Sequence, residues 1–596
     1  MDWRDRFRAG QVKGATLARR NPRRGVVISD RDGNDEAYAW DADHGGLRRL
    51  TDAGTAVLEA TVSPDGASIV YLRDETGSEF GHLHRVPFEG GDATDLTPDL
   101  EPYAAYGVKA SDALVAAASA SIDEQHLLAI VDGNVRRWPQ RELISRILVP
   151  DEATFVVIAE PMDGLYNRTI VRATGDGSEV ARLDYSLPGA IHGSSVAVAV
   201  HRDGWLRPAI WSPGDEPTLL DVDMLGDVVP TDWSADGRTI LLFQLHRAGG
   251  ALLLYDTESG TSTELHRPTG TPDPYGDPFL IGNDAAAVVW SDAEHPWSLV
   301  RLDRETSTTL VRVSERERYP GAAWTEVTFR SSGGAEIHGW LLTPPGEGPW
   351  PTILYSHGGP TAVAIPSFHP LNQAWVDNGY ALLSVNYRGS TSFGDAYREA
   401  LTGDVGGVDV DDLVAGHRWL VESGIADPDL IILNGYSYGG YLALQCMGMH
   451  PELWAGGIAG APVADWVVSG EDQNAMLDAY DIALFGTDKV EGRDARIKAS
   501  PRTYVDRFAA PVLITTPEHD TRTPIRPIRL FVDDMRAAGK EVELEVVSGG
   551  HAGIGKEHWV AIVEPWLAFA ERIVEGRRRD REGSASARGE VRDRVR

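Results

Sequence analysis

Gly435-Tyr436-Ser437-Tyr438-Gly439-Gly440, one residue past the apolar run Leu430-Ile431-Ile432-Leu433, decides how this chain is read. It fits G-x-S-x-G, a nucleophile elbow, in which a buried strand turns sharply into a helix and presents a serine hydroxyl at the tip. Side chains at the flanking glycines would collide across so tight a turn. Tyr441 to Met449 reads as the helix that follows, its N-terminal N–H groups aimed at the serine. A developing oxyanion is stabilised at such a helix start.

The elbow calls for partners, and both follow in order. Ala510-Pro511-Val512-Leu513-Ile514-Thr515-Thr516 reads as a buried parallel strand, and the loop after it carries Asp520. A further strand, 541–547, leads into Ser548-Gly549-Gly550-His551-Ala552-Gly553. The order Ser437, Asp520, His551 is that of α/β-hydrolases. Each residue stands just past the C-terminal end of a strand, where open α/β sheets bind their ligands. The bland readings are a loop cap for Asp520 and a surface histidine for His551, in a chain with 17 His. Upstream, Pro351-Thr352-Ile353-Leu354-Tyr355-Ser356-His357-Gly358-Gly359-Pro360 reads as a strand running into an oxyanion loop. Gly359 N–H and Tyr438 N–H are the candidate donors, against the plain alternative of a Gly-Gly-Pro turn.

At 596 residues the chain exceeds one ordinary core, and two domains are expected. No run approaches the roughly 18 apolar residues of a membrane span. The start, Met1-Asp2-Trp3-Arg4-Asp5-Arg6, lacks the apolar stretch of a secretory signal. The single cysteine, Cys446, excludes an intrachain disulfide and a multi-Cys metal site. A cytoplasmic protein with no metal or organic cofactor is expected. Net charge is −33, which argues against nucleic-acid and anionic-membrane partners. The cations are six Lys and 50 Arg. That balance suits a surface adapted to high salt, with coding bias as the competing explanation for the Arg.

From about Gly25 to Val313 the texture is all-β, with short alternating strands broken by Asp-Gly, Gly-Asp and Gly-Gly turns. Ser63-Pro64-Asp65-Gly66, feeding Ala67 to Tyr71, recurs as Ser234-Ala235-Asp236-Gly237, feeding Arg238 to Leu242. Similar units start near Gly25, Ala60, Ala105, Arg146, Ala190, Val228 and Pro278, the spacing of propeller blades. The fold class expected is an all-β seven-bladed β-propeller followed by an α/β-hydrolase domain, a mostly parallel sheet with helices on both faces. An array of β-sandwiches is the alternative for the first part. The domains expected are an N-terminal segment 1–24, a propeller 25–321, a catalytic domain 322–576 and a disordered tail 577–596.

His357-Gly358-Gly359-Pro360, Asn386-Tyr387-Arg388-Gly389-Ser390-Thr391, the elbow through Tyr441 and Asp520-Thr521-Arg522-Thr523-Pro524 carry a resemblance, with Asp465-Trp466 a weaker match. With a propeller ahead of them, these motifs resemble the prolyl oligopeptidase family of serine peptidases, and within it the acylaminoacyl-peptidases. The resemblance implies hydrolysis of short peptides, with the propeller as a size filter. It also implies that Arg522 helps hold the substrate backbone; the plain alternative is a salt bridge organising the Asp520 loop. The dipeptidyl-peptidases of the family hold a free amino group with a Glu-Glu pair, and no Glu-Glu dipeptide occurs in this chain. An aminopeptidase on the same scaffold stays open, because single acids such as Glu124 or Asp163 could meet an α-ammonium. Trp466, with Tyr480 and Ile482 nearby, is the candidate side-chain pocket; helix core is the competing reading for the last two. A carboxylesterase acting on small esters and a propeller interaction module with a relic hydrolase are the competing classes. The partner expected is a short peptide substrate, and a homo-oligomer is compatible with the sequence.

Overall fold

Two kinds of sheet build the computed structural model, which describes residues 1–594 apart from 53, 54, 75, 151–153, 553 and 554, with side chains as far as Glu582. Seven small antiparallel sheets span 12–49, 60–95, 104–140, 146–183, 186–219, 227–264 and 271–311. Their first strands touch in succession around an axis, which is a propeller rather than a row of sandwiches. The repeated Ser-x-Asp-Gly is the turn between the first two strands of a blade. Asp65 Oδ1 accepts from Ser63 Oγ at 2.6 Å and from Ala67 N–H at 2.9 Å, while Gly66 takes φ 72°. Asp236 and Gly237 repeat that geometry. A carboxylate that mimics backbone, followed by a left-handed glycine, makes this a turn with a mechanism.

The first blade starts earlier than its sequence suggests. Val12–Leu17 is its inner strand, paired with Arg24–Ser29, so the segment 1–24 is not separate from the propeller. Lys13 and Gly14 spoil the alternation that would have revealed it. The last blade likewise begins at Thr271, ahead of Pro278. First and last blades share no strand; Val12, Val27 and Trp40 pack against Ala287, Val289 and Leu299. Ahead of that strand, helix α1 (Arg4–Arg8) crosses to the other domain. Its Trp3 and Phe7 join the core that holds Trp375 and Phe569, and the buried Arg6 pairs with Asp377 at 2.6 Å.

The second domain is one eight-stranded sheet: β1 (Thr325–Arg330), β2 (Glu336–Leu342), β3 (Trp350–Ser356), β4 (Ala381–Asn386), β5 (Ala426–Tyr436), β6 (Gly456–Gly460), β7 (Val512–Pro517) and β8 (Val542–Val547). The order is β1-β2-β4-β3-β5-β6-β7-β8, parallel from β4 onward. Central strands are buried along their whole length, as sheets covered on both faces require. Successive residues face opposite cores: Leu354, Leu383 and Leu433 on one side, Ile353, Leu382 and Ile432 on the other. Each buried leucine contributes about 2 kcal/mol relative to exposure. Helices α2 (Pro370–Asp377) and α7 (Lys556–Arg594) cover one face, and α3 (Val408–Glu422) and α4 (Tyr438–Met449) the other.

The tail departs from expectation, since α7 continues through 577–594 where disorder was expected. Arg581 reaches back to Asp427 at 2.6 Å and also pairs with Asp429, anchoring the helix beyond its core-facing part. Residues 595 and 596 lie outside the described residues. No helix among them is long and apolar enough to cross a membrane.

Candidate active site

Ser437 sits between the end of β5 and the start of α4 with φ 60° and ψ −124°, a conformation that costs a non-glycine residue about 1–3 kcal/mol. What holds it there is backbone packed against backbone. A Cβ on Gly435 would lie 2.3 Å from the Gly439 carbonyl carbon, and one on Gly439 would lie 2.1 Å from Ser356 O. Ser437 N–H donates to Gly460 O at 2.8 Å, and Ser356 Oγ to Gly439 O at 3.0 Å. The strain is fixed by steric necessity from both neighbouring strands.

Two loops complete the constellation. His551 Nε2 lies 3.0 Å from Ser437 Oγ, and His551 Nδ1 lies 2.7 Å from Asp520 Oδ2. Asp520 Oδ1 accepts from the N–H groups of Arg522 and Thr523, both at 2.8 Å, and Oδ2 from Thr523 Oγ1 at 2.8 Å. Burial pushes this carboxyl up, but His551 and Thr523 outweigh it and hold Asp520 below the usual carboxylate range. The ionised carboxylate thus accepts from Nδ1, which leaves Nε2 lone-paired towards the serine hydroxyl. Tyr436 packs its ring 5.4 Å from the imidazole and donates to His551 O at 3.1 Å.

Glu79, on the propeller, is the residue that sequence reasoning missed. It is buried, with φ 68°. One oxygen takes Arg522 Nε at 2.8 Å, and the other accepts from Ala552 N–H, beside His551, at 2.8 Å. Charge-assisted bonds worth about 1.5–3 kcal/mol each offset the backbone strain of about 1–3 kcal/mol. Burial works against the Arg522 charge, but Glu79 keeps it raised, and its guanidinium lies 5.8 Å from the Tyr106 ring. Arg522 is therefore half of an interdomain ion pair that braces the Asp520 loop. Contact is close enough that a Cβ on Gly550 would lie 2.1 Å from Gly77 O. Only the order Glu79-Phe80-Gly81 at a strand start marks Glu79 in the sequence, too little to single it out. Gly553, in the same loop as His551, lies outside the described residues.

On the opposite side of Ser437, a Cβ on Gly358 would lie 3.3 Å from Ser437 Cβ, so the His357–Pro360 loop runs alongside that serine. Tyr438, the first residue of α4, has no carbonyl one turn back within its helix to occupy its N–H. The Tyr438 ring stacks 6.0 Å from Tyr387, which stacks 4.5 Å from His357. Tyr438 OH donates to Asp409 at 2.7 Å. Burial pushes Asp409 up to about 7 and His357 down to about 4. Both groups are thereby neutral in a dry stack behind the loop at mildly acidic pH.

The proposed pocket residues divide. Trp466, at the start of α5 (Trp466–Asp472), packs 6.1 Å from the Tyr438 ring. Tyr480, on α6 (Ala475–Phe485), reaches the same loop through Thr361 Oγ1 at 2.9 Å. Ile482 is half-buried and does not belong to the apolar cluster of Trp466 and Tyr480. Two residues on from Tyr480, it points to another side of the helix. Glu124 is taken up by Arg137 at 3.2 Å, and Asp163 sits in a hairpin opposite Tyr166.

Comparison with known proteins bears on the family and the fold. Residues 366–577 match the model of the prolyl oligopeptidase family. Dipeptidyl aminopeptidase BIII of Pseudoxanthomonas mexicana is 29% identical over 523 residues, 76% of this chain and 71% of that protein. The acylamino-acid-releasing enzyme of Sus scrofa is 24% identical over 341 residues, 52% of this chain but 45% of the relative. The solved structure of a Mycobacterium tuberculosis puromycin-hydrolyzing peptidase superposes with a TM-score of 0.82 at 19% identity, covering 96% of each chain. That likeness is one of fold.

Proposed function

We propose that the chain is a serine peptidase of the prolyl oligopeptidase family, whose model matches residues 366–577, and that it hydrolyses short peptides, releasing N-acylated amino acids from N-acylated peptides. Ser437 Oγ attacks the scissile carbonyl as His551 Nε2 takes its proton, and Asp520 fixes the imidazole in the required tautomer. The Gly359 and Tyr438 N–H groups receive the oxyanion. His551 then protonates the leaving amine, and water repeats the cycle on the acyl-enzyme. Trp466 and Tyr480 line the side-chain pocket beside the oxyanion loop.

Glu79 carries the acylated reading. It is the propeller acid bound to both catalytic loops, and its oxygens are already engaged by Arg522 and Ala552. Its charge is spent within the protein, which suits a neutral acyl cap better than an α-ammonium. Relatives named acylamino-acid-releasing enzymes support that reading, while the dipeptidyl aminopeptidase relative favours a free terminus.

A second reading rests on a separate observation. A lateral cavity of about 280 Å³ is lined by Lys13, Asp35, Val57, Leu58, His551 and Trp559, among others. Burial pushes the Asp35 carboxyl up to about 6, against the pull of Lys13. A free α-ammonium entering there would meet Asp35, and the enzyme would then be an aminopeptidase. Digestion of a peptide library with free and N-acetylated termini, read by mass spectrometry, separates the two. The acylated reading expects faster loss of the acetylated members and release of acetyl-amino acids; equal or faster cleavage of free termini overturns it. A much higher rate on a simple aryl ester than on an acylated amino-acid anilide favours the esterase class instead.

A further inference from the structure

Blade seven breaks a rule that the other six obey. Its inner strand is split into Thr271–Pro272 and Phe279–Ile281, both paired with Ala285–Ser291, and after Asp273, whose N–H still reaches Val289 O, the next five residues leave the sheet. The stretch reads Asp273-Pro274-Tyr275-Gly276-Asp277-Pro278. Asp273 Oδ1 accepts from Tyr275 N–H at 3.0 Å, and two prolines limit its freedom. It is a built turn rather than a slack loop.

Two side chains leave this turn for opposite destinations. Asp277 pairs with Lys109 of blade three at 2.8 Å and Arg146 of blade four at 3.1 Å. Neither blade adjoins blade seven, so the cluster spans the axis of the propeller. Lys109, the largest influence, holds Asp277 charged far below the usual carboxylate range. Tyr275 leaves the propeller altogether. Its hydroxyl accepts from Val363 N–H at 2.6 Å and faces Val363 O at 3.4 Å. Burial around the phenol pushes its ionisation up, while 62% of the residue stays exposed.

Val363 lies four residues past Gly359, in a stretch where successive residues are each held. Thr361 is held by Tyr480, Ala362 O by Thr391 N–H, and Ala364 N–H by Asn386 Oδ1. Tyr275 supplies the matching restraint on Val363 from the other domain. An oxyanion donor works only if its N–H is already aimed when charge develops, so restraint on this loop acts on the transition state.

We propose that the blade-seven turn belongs to the active site: Tyr275 is a positioning residue for the oxyanion loop, kept in place by the Lys109–Asp277–Arg146 cluster across the propeller axis. The proposal rests on Gly359 as an oxyanion donor and not on which peptide is cleaved. Tyr275→Phe keeps the ring and removes the hydroxyl. In the full chain, two quantities are read: the rate at which a fluorophosphonate labels Ser437, and kcat against KM on one peptide. Tyr275→Phe is expected to lower labelling rate and kcat about 10-fold, short of the 10²–10³ for losing a donor outright. KM stays within about twofold and the unfolding temperature is unchanged. Asp277→Asn moves the same quantities in the same direction by less. Labelling and kcat within twofold of wild type in a stable Tyr275→Phe overturn the proposal. A loss confined to KM, or one that comes with a lower unfolding temperature, also overturns it. The probe reports on Ser437 whatever the substrate, so failure of the acylated-peptide reading would show in the library digest and leave the labelling comparison unaffected.

Discussion

The elbow at Ser437 and the loop of His551 meet across 3.0 Å but are held by different means. The elbow is locked inside its own domain, where Gly435 and Gly439 press backbone against backbone and Gly460 O takes the serine N–H. The His551 loop is held from outside as well as from within, by Glu79 on Ala552 and by Gly77 against Gly550 in addition to Tyr436 and Asp520. The serine is set by the hydrolase sheet alone, whereas the histidine is held by Tyr436 and Asp520 of its own domain and by the propeller as well. The propeller therefore contributes backbone and carboxylate contacts to the loop that carries His551.

That contrast can be broken from either side. Ser437→Ala should cost about 10⁴–10⁶ in kcat with the fold intact, as loss of a nucleophile does. Residual turnover above about 1% of wild type in pure protein would remove Ser437 from its role. Glu79→Gln should come next, lowering kcat about 10²-fold as the His551 and Asp520 loops lose their shared anchor. It leaves the half-buried Arg522 without its partner, a cost below the roughly 3–5 kcal/mol of a fully buried unpaired charge. Adding Arg522→Met should therefore recover stability without recovering kcat, a split that a double-mutant cycle reads directly. Full recovery of kcat would mean that Glu79 serves only to neutralise Arg522. Gly77→Ala should have a milder effect, about 10-fold in kcat, since a Cβ there lies 3.3 Å from Gly549 Cα at φ 78°. An equal loss from Gly33→Ala, which has open space around it, would show that backbone strain and not the contact is responsible.

The smallest effect concerns the elbow side and pH. Burial pushes His357 and His338 down to about 4, against about 6.5 for the unfolded chain. Their stabilising contribution is whole above pH 6.5 and is lost as pH falls towards 4, because the unfolded chain binds the protons that the folded one refuses. For His357 this amounts to about 2 kcal/mol between pH 7 and 5. Asp409, pushed up to about 7, works in the opposite direction over much of the same window. The term must be read as a difference. The denaturant midpoint of His357→Asn should lose less between pH 7 and 5 than that of wild type, and parallel slopes would sink the assignment.

The elbow, the strand-then-loop placement of Asp520 and His551 and the repeated Ser-x-Asp-Gly turn were legible because each is local. Their steric demands fall on residues a few positions apart. The propeller's inner strand at Val12–Leu17 escaped notice because Lys13 and Gly14 mask its alternation, and the helix over 577–594 because composition says little about what a distant Asp427 can anchor. Glu79 and Tyr275 were illegible for a stronger reason. Each acts on a loop some 90 to 470 residues away, and no spacing rule connects a blade turn to the domain it faces. Ile482 was placed by proximity in sequence, and helix geometry turned it away.

The path of the first seventeen residues has a consequence for how the two halves stay together. The backbone crosses between domains twice, once between α1 and the inner strand at Val12 and once near 312–324, and both crossings lie beside the first and last blades. Arg8 pairs with Glu557 across 549 residues of chain, and Trp3 and Phe7 are buried in the far domain. A single protease nick in 312–324 would therefore not free the hydrolase from the propeller. The cut pieces would remain threaded together, migrating as one body until denaturant drew the helix out, much as a clasp stays shut after its cord is severed.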